Sequence, residues 1–316
     1  MRPVLLGVVG DSGAGKSTIT RGLVGALGRD NAFHISTDDY HKYDRKQRVE
    51  LNITPLHPDC NYVDIIAQDL AHLRRGEPIL KPVYRHMDGT FGPPVYVEPA
   101  SFAVVEGLLG YHSQEMRDAY DVRVFLDPPE EIRRRWKVAR DTSQRGYTEQ
   151  EVQSEHDKRE PDSAAFIRPQ RAHANIVVSF RPGRSDEQDK LDAHLFLRNG
   201  LQHPDLSGLI AAEDECGLTL VDGPHEQELC VPGTIDPSRA AEIEQAIWEA
   251  MHFASHLREQ RLGEFTVGTE VHRSESLALT QLLILYHLVT TKARVALGGN
   301  HSRTEEAVLG AEPAVA

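Results

Sequence analysis

Val4 Leu5 Leu6 Gly7 Val8 Val9 Gly10 Asp11 Ser12 Gly13 Ala14 Gly15 Lys16 Ser17 Thr18 is the stretch whose reading decides the fold. The run from Val4 to Val9 has no polar face, as expected of a strand covered on both sides. The residues that follow fit G-x-x-x-x-G-K-[ST], a phosphate-binding loop set between a strand and a helix. In such a loop successive backbone N–H groups and the helix N-terminus converge on a phosphate, at a range that glycine permits. Gly10, Asp11, Ser12, Gly13, Ala14, Gly15, Lys16, Ser17 and Thr18 are therefore the expected nucleotide cradle. Lys16 reaches the β- and γ-phosphates, and the Ser17 hydroxyl is a ligand for Mg²⁺. Arg2 and the apolar run have the outline of a short signal peptide, but the glycine loop stands where a cleavage site would be.

Outward from this stretch, Phe102 to Val105, Val122 to Leu126 and Ile176 to Phe180 are further valine-rich runs, with Ala32 to Ser36 a weaker one. Helical patterns at Lys16 to Leu27, Val63 to Arg75, Glu130 to Ser143 and Thr148 to Lys158 fall between them. Alternation of this kind predicts an α/β fold, a doubly wound, mostly parallel sheet. A polar run from Arg181 to Lys190 reads as a linker or long turn and closes a core of residues 1–180. Residues 191–297 form a smaller α+β extension, packed on the core or at a subunit interface. Its expected strands lie near Leu195, Leu218 to Val221 and Glu228 to Val231, followed by helices from Pro237 and from Glu275 to Ala296. The last helix carries a broad apolar face suited to a core or a subunit contact. Residues 298–316 read as a disordered tail.

Thirty-five Lys and Arg against 48 Asp and Glu leave a net charge of -13, which argues against non-specific nucleic-acid binding. With 40% apolar residues the chain has material for a core, and global disorder is excluded. No apolar run reaches the roughly 18 residues of a membrane helix. The three cysteines, Cys60, Cys216 and Cys230, form no C-x-x-C, so a reducing cytoplasm fits.

Three further clusters carry ionisable groups. Thr37 to Arg45 follows a strand end, where open α/β sheets bind ligands, and one of its carboxylates can take a proton from an acceptor hydroxyl. On an extended chain Asp38 and Asp39 point to opposite sides, so only one of them faces the γ-phosphate. A helix-capping acidic turn is the other reading of this cluster. Glu106 ends a core strand, where it holds the Mg²⁺ shell, positions the nucleophile or is simply a loop residue. Arg133, Lys137 and Arg140 recur at i, i+4 and i+7, a cationic stripe expected to face away from the core. It is either a solvated helix surface or, with Asp141, Arg145 and Gly146, part of a lid over the transferred phosphoryl group.

Together these motifs resemble the phosphoribulokinase family, in its plant-like form, within the larger group that includes uridine kinases. The matching stretches are Gly10 to Thr18, Asp38 to His41 with Arg45, Lys81 to His86, Val105 to Gly107, Trp136 to Asp141 with Arg145 Gly146, and Lys158 to Gln170. The resemblance implies a fold of P-loop kinase type and transfer of the γ-phosphoryl of ATP, with Mg²⁺, to the 1-hydroxyl of ribulose 5-phosphate. By motif position Asp38 is the general base, and His41 and Arg45 bind the sugar phosphate. Glu106 is the metal-associated acid, and Lys16, Lys137, Arg140, Asp141 and Arg145 are the catalytic and lid positions. Tyr84, Arg85 and His86 contact the acceptor. The plant form has two redox-active cysteines where this chain has Ala14 and Ser36, so no switch of that design is expected. A homodimer, a cytoplasmic location and a place in carbon fixation also follow from the resemblance. Uridine kinase is the nearest alternative, through the P-loop, His57 Pro58 Asp59 and Arg140 Asp141. A nucleotide-binding regulator without transfer activity is the other.

Overall fold

The computed structural model describes residues 2–183, 190–209, 217–258, 262–267 and 270–298. In chain order, β1 (Val4–Gly10) leads through the glycine loop into α1 (Lys16–Leu27) and returns as β2 (Ala32–Ser36). Then come α2 (Arg45–Glu50), α3 (Val63–Arg75), the hairpin β3 (Ile79–Arg85) and β4 (Thr90–Val97), and β5 (Phe102–Gly107). α4 (Gln114–Ala119), β6 (Val122–Leu126), α5 (Glu130–Arg145), α6 (Glu149–Asp162) and β7 (Ile176–Pro182) follow. The remainder supplies β8 (Leu191–Arg198), β9 (Thr219–Asp222), β10 (Glu226–Val231), α7 (Pro237–Ala250), a small hairpin of β11 (Glu264–Val267) and β12 (Glu270–Arg273), and α8 (Glu275–Ala296).

One eight-stranded sheet, in the order β2-β5-β1-β6-β7-β8-β10-β9, organises the molecule. The first five of these strands run parallel, and β1 and β5 are buried along their whole length. That is why they read as unbroken apolar runs. β8, β10 and β9 continue the sheet antiparallel. Along β8 buried and half-exposed residues alternate, the pattern of a strand covered on one face.

The polar run from Arg181 to Lys190 connects neighbours: β7 pairs with β8 from Ile176↔Leu197 to Pro182↔Leu191. Leu191, Ala193, Leu195 and Leu197 extend the apolar surface of β7, and one core cluster joins them to β1, α1, α7 and α8. Residues 184–189 and the tail beyond Gly298 lie outside the described residues.

The apolar face of α8 goes to this core. Leu277, Leu279, Leu282, Leu283, Ile284, Leu285, Leu288 and Val289 are all buried within the chain itself, and the helix packs on α1, β1 and β8. Those residues therefore leave no surface for a second subunit. No helix among the described residues is long and apolar enough to cross a membrane.

Candidate active site

The glycine loop leaves β1 and is held from beneath by its own lysine, whose Nζ donates to the carbonyls of Gly10 and Asp11 at 2.8 Å each. Gly13 adopts φ +85°, and a Cβ there would lie 2.9 Å from Lys137 Cβ. Glycine thus lets the loop rest directly on α5. Asp11 faces the protein: Oδ2 accepts from Ser163 Oγ, and Oδ1 lies 3.7 Å from Arg133 Nη1. Burial lowers the pKa of Lys16 below the ordinary lysine value, while Asp38, Glu106 and Asp11 oppose the shift.

At the end of β5, Glu106 accepts from Ser17 Oγ at 3.0 Å and from Thr20 Oγ1 at 3.1 Å, and its Oε1 lies 3.1 Å from His34 Nε2. Burial would raise its pKa, yet the bond to His34 and the charge of Lys16 hold it below the usual carboxylate value. Ser17 and Glu106 are hard oxygen donors beside a phosphate-binding loop, the donor type that suits Mg²⁺. Next to Glu106, a Cβ on Gly107 would fall 1.6 Å from Thr37 Oγ1, so the turn after β2 is packed tightly onto the end of β5.

That turn, Thr37 to Tyr40, is a single 3₁₀ turn whose Asp38 N–H donates to Ser36 Oγ. It is not the extended chain expected from sequence, although the two acids do diverge. Asp39 accepts from Lys81 Nζ and from the Tyr84 N–H, while Asp38 lines the cleft with Oδ2 3.9 Å from His86 Nε2. His41 is buried with Nδ1 2.7 Å from Asn61 Oδ1 and its ring edge-on to Tyr84, and burial lowers its pKa. Arg48 donates to Tyr84 Oη at 2.5 Å, and Arg45 donates to the His86 carbonyl at 2.5 Å.

The β3–β4 hairpin therefore delivers Tyr84 and His86 to the cleft. Arg85, expected there as well, is exposed and does not line it. β3 ends with Arg85 exposed, and His86, the first residue of the turn that follows, lines the cleft.

The stripe on α5 also needs correction. Arg133 and Lys137 are only 6% and 4% exposed, because the helix lies over the glycine loop and against α6. Lys137 Nζ reaches Asp141 Oδ2 at 2.7 Å, and Arg140 Nε reaches Asp141 Oδ1 at 2.8 Å. Burial opposes ionisation of Asp141, but Arg140 and Lys137 prevail and hold its pKa at about 2. Lys137, Arg140 and Asp141 all line the cleft; the side chain of Arg145 lies outside the described residues.

The cleft, of about 640 Å³, is also lined by His34 and Arg48, which the sequence reading did not single out, and by Lys158 and Arg159, which lie in a stretch matching the family but were given no role. Arg48 carried a usable signal, since it follows Arg45 by one helical turn. Thr20, Lys81 and Asn61 support the site through contacts distant in sequence, which no spacing reveals. Seven cations (Lys16, Arg45, Arg48, Lys137, Arg140, Lys158 and Arg159) line the cleft beside five carboxylates (Asp38, Glu106, Asp141, Glu151 and Glu155), and on a protein of net charge -13 this local excess of positive charge suits a polyanionic ligand.

Residues 5–185, which contain this entire cleft, match the model of the Phosphoribulokinase / Uridine kinase family. The chain belongs to that family. Within the phosphoribulokinase/uridine kinase family, it is 38% identical over 192 residues to a phosphoribulokinase of Synechocystis sp., covering 60% of this chain and 58% of the relative. To a chloroplastic phosphoribulokinase of Arabidopsis thaliana it is 31% identical over 221 residues, 63% of this chain and 56% of the other. A uridine kinase of Leuconostoc citreum is 33% identical over 186 residues, 56% of this chain and 88% of that one. The matches thus span less than three-fifths of the length of these phosphoribulokinases. Among solved structures, phosphoribulokinase from Rhodobacter spheroides superimposes with a TM-score of 0.61 at 17% identity, covering 81% of this chain and 97% of the other. The family's P-loop kinase fold is therefore shared.

Proposed function

We propose that this family member transfers the γ-phosphoryl of ATP to the 1-hydroxyl of D-ribulose 5-phosphate, giving ribulose 1,5-bisphosphate and ADP, the acceptor-forming step of carbon fixation. The observation that carries this reading is the pairing of Asp38 with Arg45, Arg48 and His41 in one cleft. A carboxylate is available to the reacting hydroxyl, and guanidinium groups are available to a phosphate already on the acceptor. A neutral nucleoside makes no use of those cations.

In this mechanism the glycine loop holds the β- and γ-phosphates, and Lys16 and Arg140 offset the charge of the transferred group. Asp38 takes the proton of the attacking hydroxyl as the new O–P bond forms. Lys137 and Asp141 fix the guanidinium of Arg140 over the cleft. Ser17 and Glu106 would hold Mg²⁺, which would supply charge neutralisation to the phosphates. Because phosphoryl transfer depends chiefly on position and charge, a cleft of this composition suffices.

Uridine kinase is the second reading, favoured by the 88% coverage of the Leuconostoc citreum relative. An ADP-release assay with MgATP, offering ribulose 5-phosphate and uridine in parallel, separates the two. Turnover with the sugar phosphate alone is expected. Turnover with uridine alone would reject the role given to Arg45 and Arg48, and nucleotide binding without turnover on either would favour a regulator. A cytoplasmic location and a homodimer belong to the same reading. Light scattering that returns a monomer would remove the dimer.

A further inference from the structure

We propose that Asp192, His194 and Cys230 form a divalent transition-metal site, suited to Zn²⁺, that ties β10 to β8. These strands lie beyond β7, at the opposite end of the sheet from β2 and β5, so the site is separate from the Ser17–Glu106 pair. Asp192 and His194 are two residues apart on β8 and share its half-exposed face, and Cys230 pairs directly with His194 across the ladder. One ligand atom from each of the three lies within 4.8 Å of the other two.

The sulfur–nitrogen spacing is close to that about a bound ion. Cys230 Sγ is 3.8 Å from His194 Nε2. Zinc with ordinary Zn–S and Zn–N distances and a tetrahedral angle would separate those atoms by about 3.6 Å. Glu228, two residues before Cys230 on β10, holds His194 Nδ1 at 2.8 Å. A carboxylate there accepts Nδ1–H and leaves the Nε2 lone pair directed at the cysteine, which is how outer carboxylates orient metal-binding histidines. Asp192 is fixed in turn by the Gly233 N–H, 2.8 Å from Oδ1. Arg181, which pairs with Asp192 from β7, is the nearby opposing charge. Its Nε donates to Ser179 Oγ at 3.1 Å, and its guanidinium lies over the Phe196 ring.

A mixed nitrogen, sulfur and oxygen set selects Zn²⁺ or Co²⁺ over Mg²⁺, which requires oxygen donors in an octahedron. On binding, the Cys230 S–H bond breaks, its proton passes to solvent, and the sulfur electron pair is shared with the ion; no electron changes hands. Three protein ligands leave a fourth position for water. The ion would cross-link β8 to β10, through which β9 joins the sheet.

The test uses the full chain, reduced and stripped with a chelator, titrated with Co²⁺ in the presence of excess Mg²⁺. One equivalent should give a thiolate-to-cobalt charge-transfer band and the visible bands of a tetrahedral ion, both displaced by Zn²⁺. The bands should vanish in Cys230→Ser and His194→Ala, and Glu228→Gln should weaken Co²⁺ about 10- to 100-fold. Zn²⁺ should raise the Tm of the parent and not of His194→Ala. Should Cys230→Ser fail to fold, Asp192→Asn supplies the comparison, with weakened binding expected. Absence of the charge-transfer band, its survival in Cys230→Ser, or equal competition by Mg²⁺ would overturn the proposal.

Discussion

Asp38 and Asp39 are adjacent and chemically alike, yet the 3₁₀ turn gives them different work. Asp39 is consumed by Lys81 and the Tyr84 N–H, fastening the β3–β4 hairpin to the turn, while Asp38 faces the cleft. Asp38→Asn should therefore lower turnover by about 10²- to 10⁴-fold with nucleotide affinity retained, measurable by steady-state kinetics beside calorimetry. Unchanged turnover would move the base elsewhere. Gly107 gives a sharper steric test. Gly107→Ala places a methyl on Thr37 Oγ1 and should cost about 1–3 kcal/mol, read as a loss of Tm, and Thr37→Ala in the same chain should recover part of it. The glycine loop and the strand-end places of Glu106 and the Asp38–Asp39 pair were legible because loop spacing and strand ends carry their own physical meaning, but strand-end position does not choose between the two aspartates, and only the family resemblance pointed to Asp38. Arg85 lies outside the cleft lining, which a contiguous motif could not show, because adjacency in sequence does not say which of its residues face the same way.

Among the elements, α1 and α8 meet through Gln281. Its Nε2 donates to the Thr18 carbonyl at 3.0 Å, and its Oε1 accepts the Gly263 N–H at 2.8 Å. Gln281→Ala strands a buried N–H and should cost about 1–3 kcal/mol, checked by urea denaturation. A second contact of α8 predicts a pH dependence. Burial, aided by His203 and Arg294, pushes the pKa of His287 down to about 3 from 6.5. The unfolded chain then binds a proton that the folded chain refuses. The contribution of His287 is complete above about pH 6.5 and is lost as the pH falls towards 3. Urea midpoints between pH 6.5 and 4 should fall for the parent and less steeply for His287→Leu; equal slopes would refute the assignment. Helix periods made α1, α3 and α8 readable end to end. The β3–β4 hairpin was not read as strands, since Gly92, Pro93 and Pro94 break its alternation and its strands lie outside the main sheet.

For the molecule as a whole, the strands of the main sheet were legible but their order was not. Valine runs announce burial and say nothing about which run lies beside which. The continuity of the sheet across 183–190 was hidden for the same reason: a polar connection looks alike whether it joins two bodies or two paired strands. Residues 1–182 alone would expose the edge of β7 and uncover the side of β1 and α1 that α8 buries. That fragment should aggregate or stay unfolded, by circular dichroism and light scattering, whereas a monomeric fragment with a cooperative melt would show the parallel strands to be self-sufficient.

The contact of Gln281 with Thr18 spans 263 positions of the chain. On the ribosome, the glycine loop and α1 emerge long before the helix that shelters them has been translated. The apolar side of α1 must wait in solution or on a holding chaperone, and long-range closure of this kind slows folding. Nucleotide affinity should accordingly be acquired late in biosynthesis, only once α8 has been made and has packed on α1.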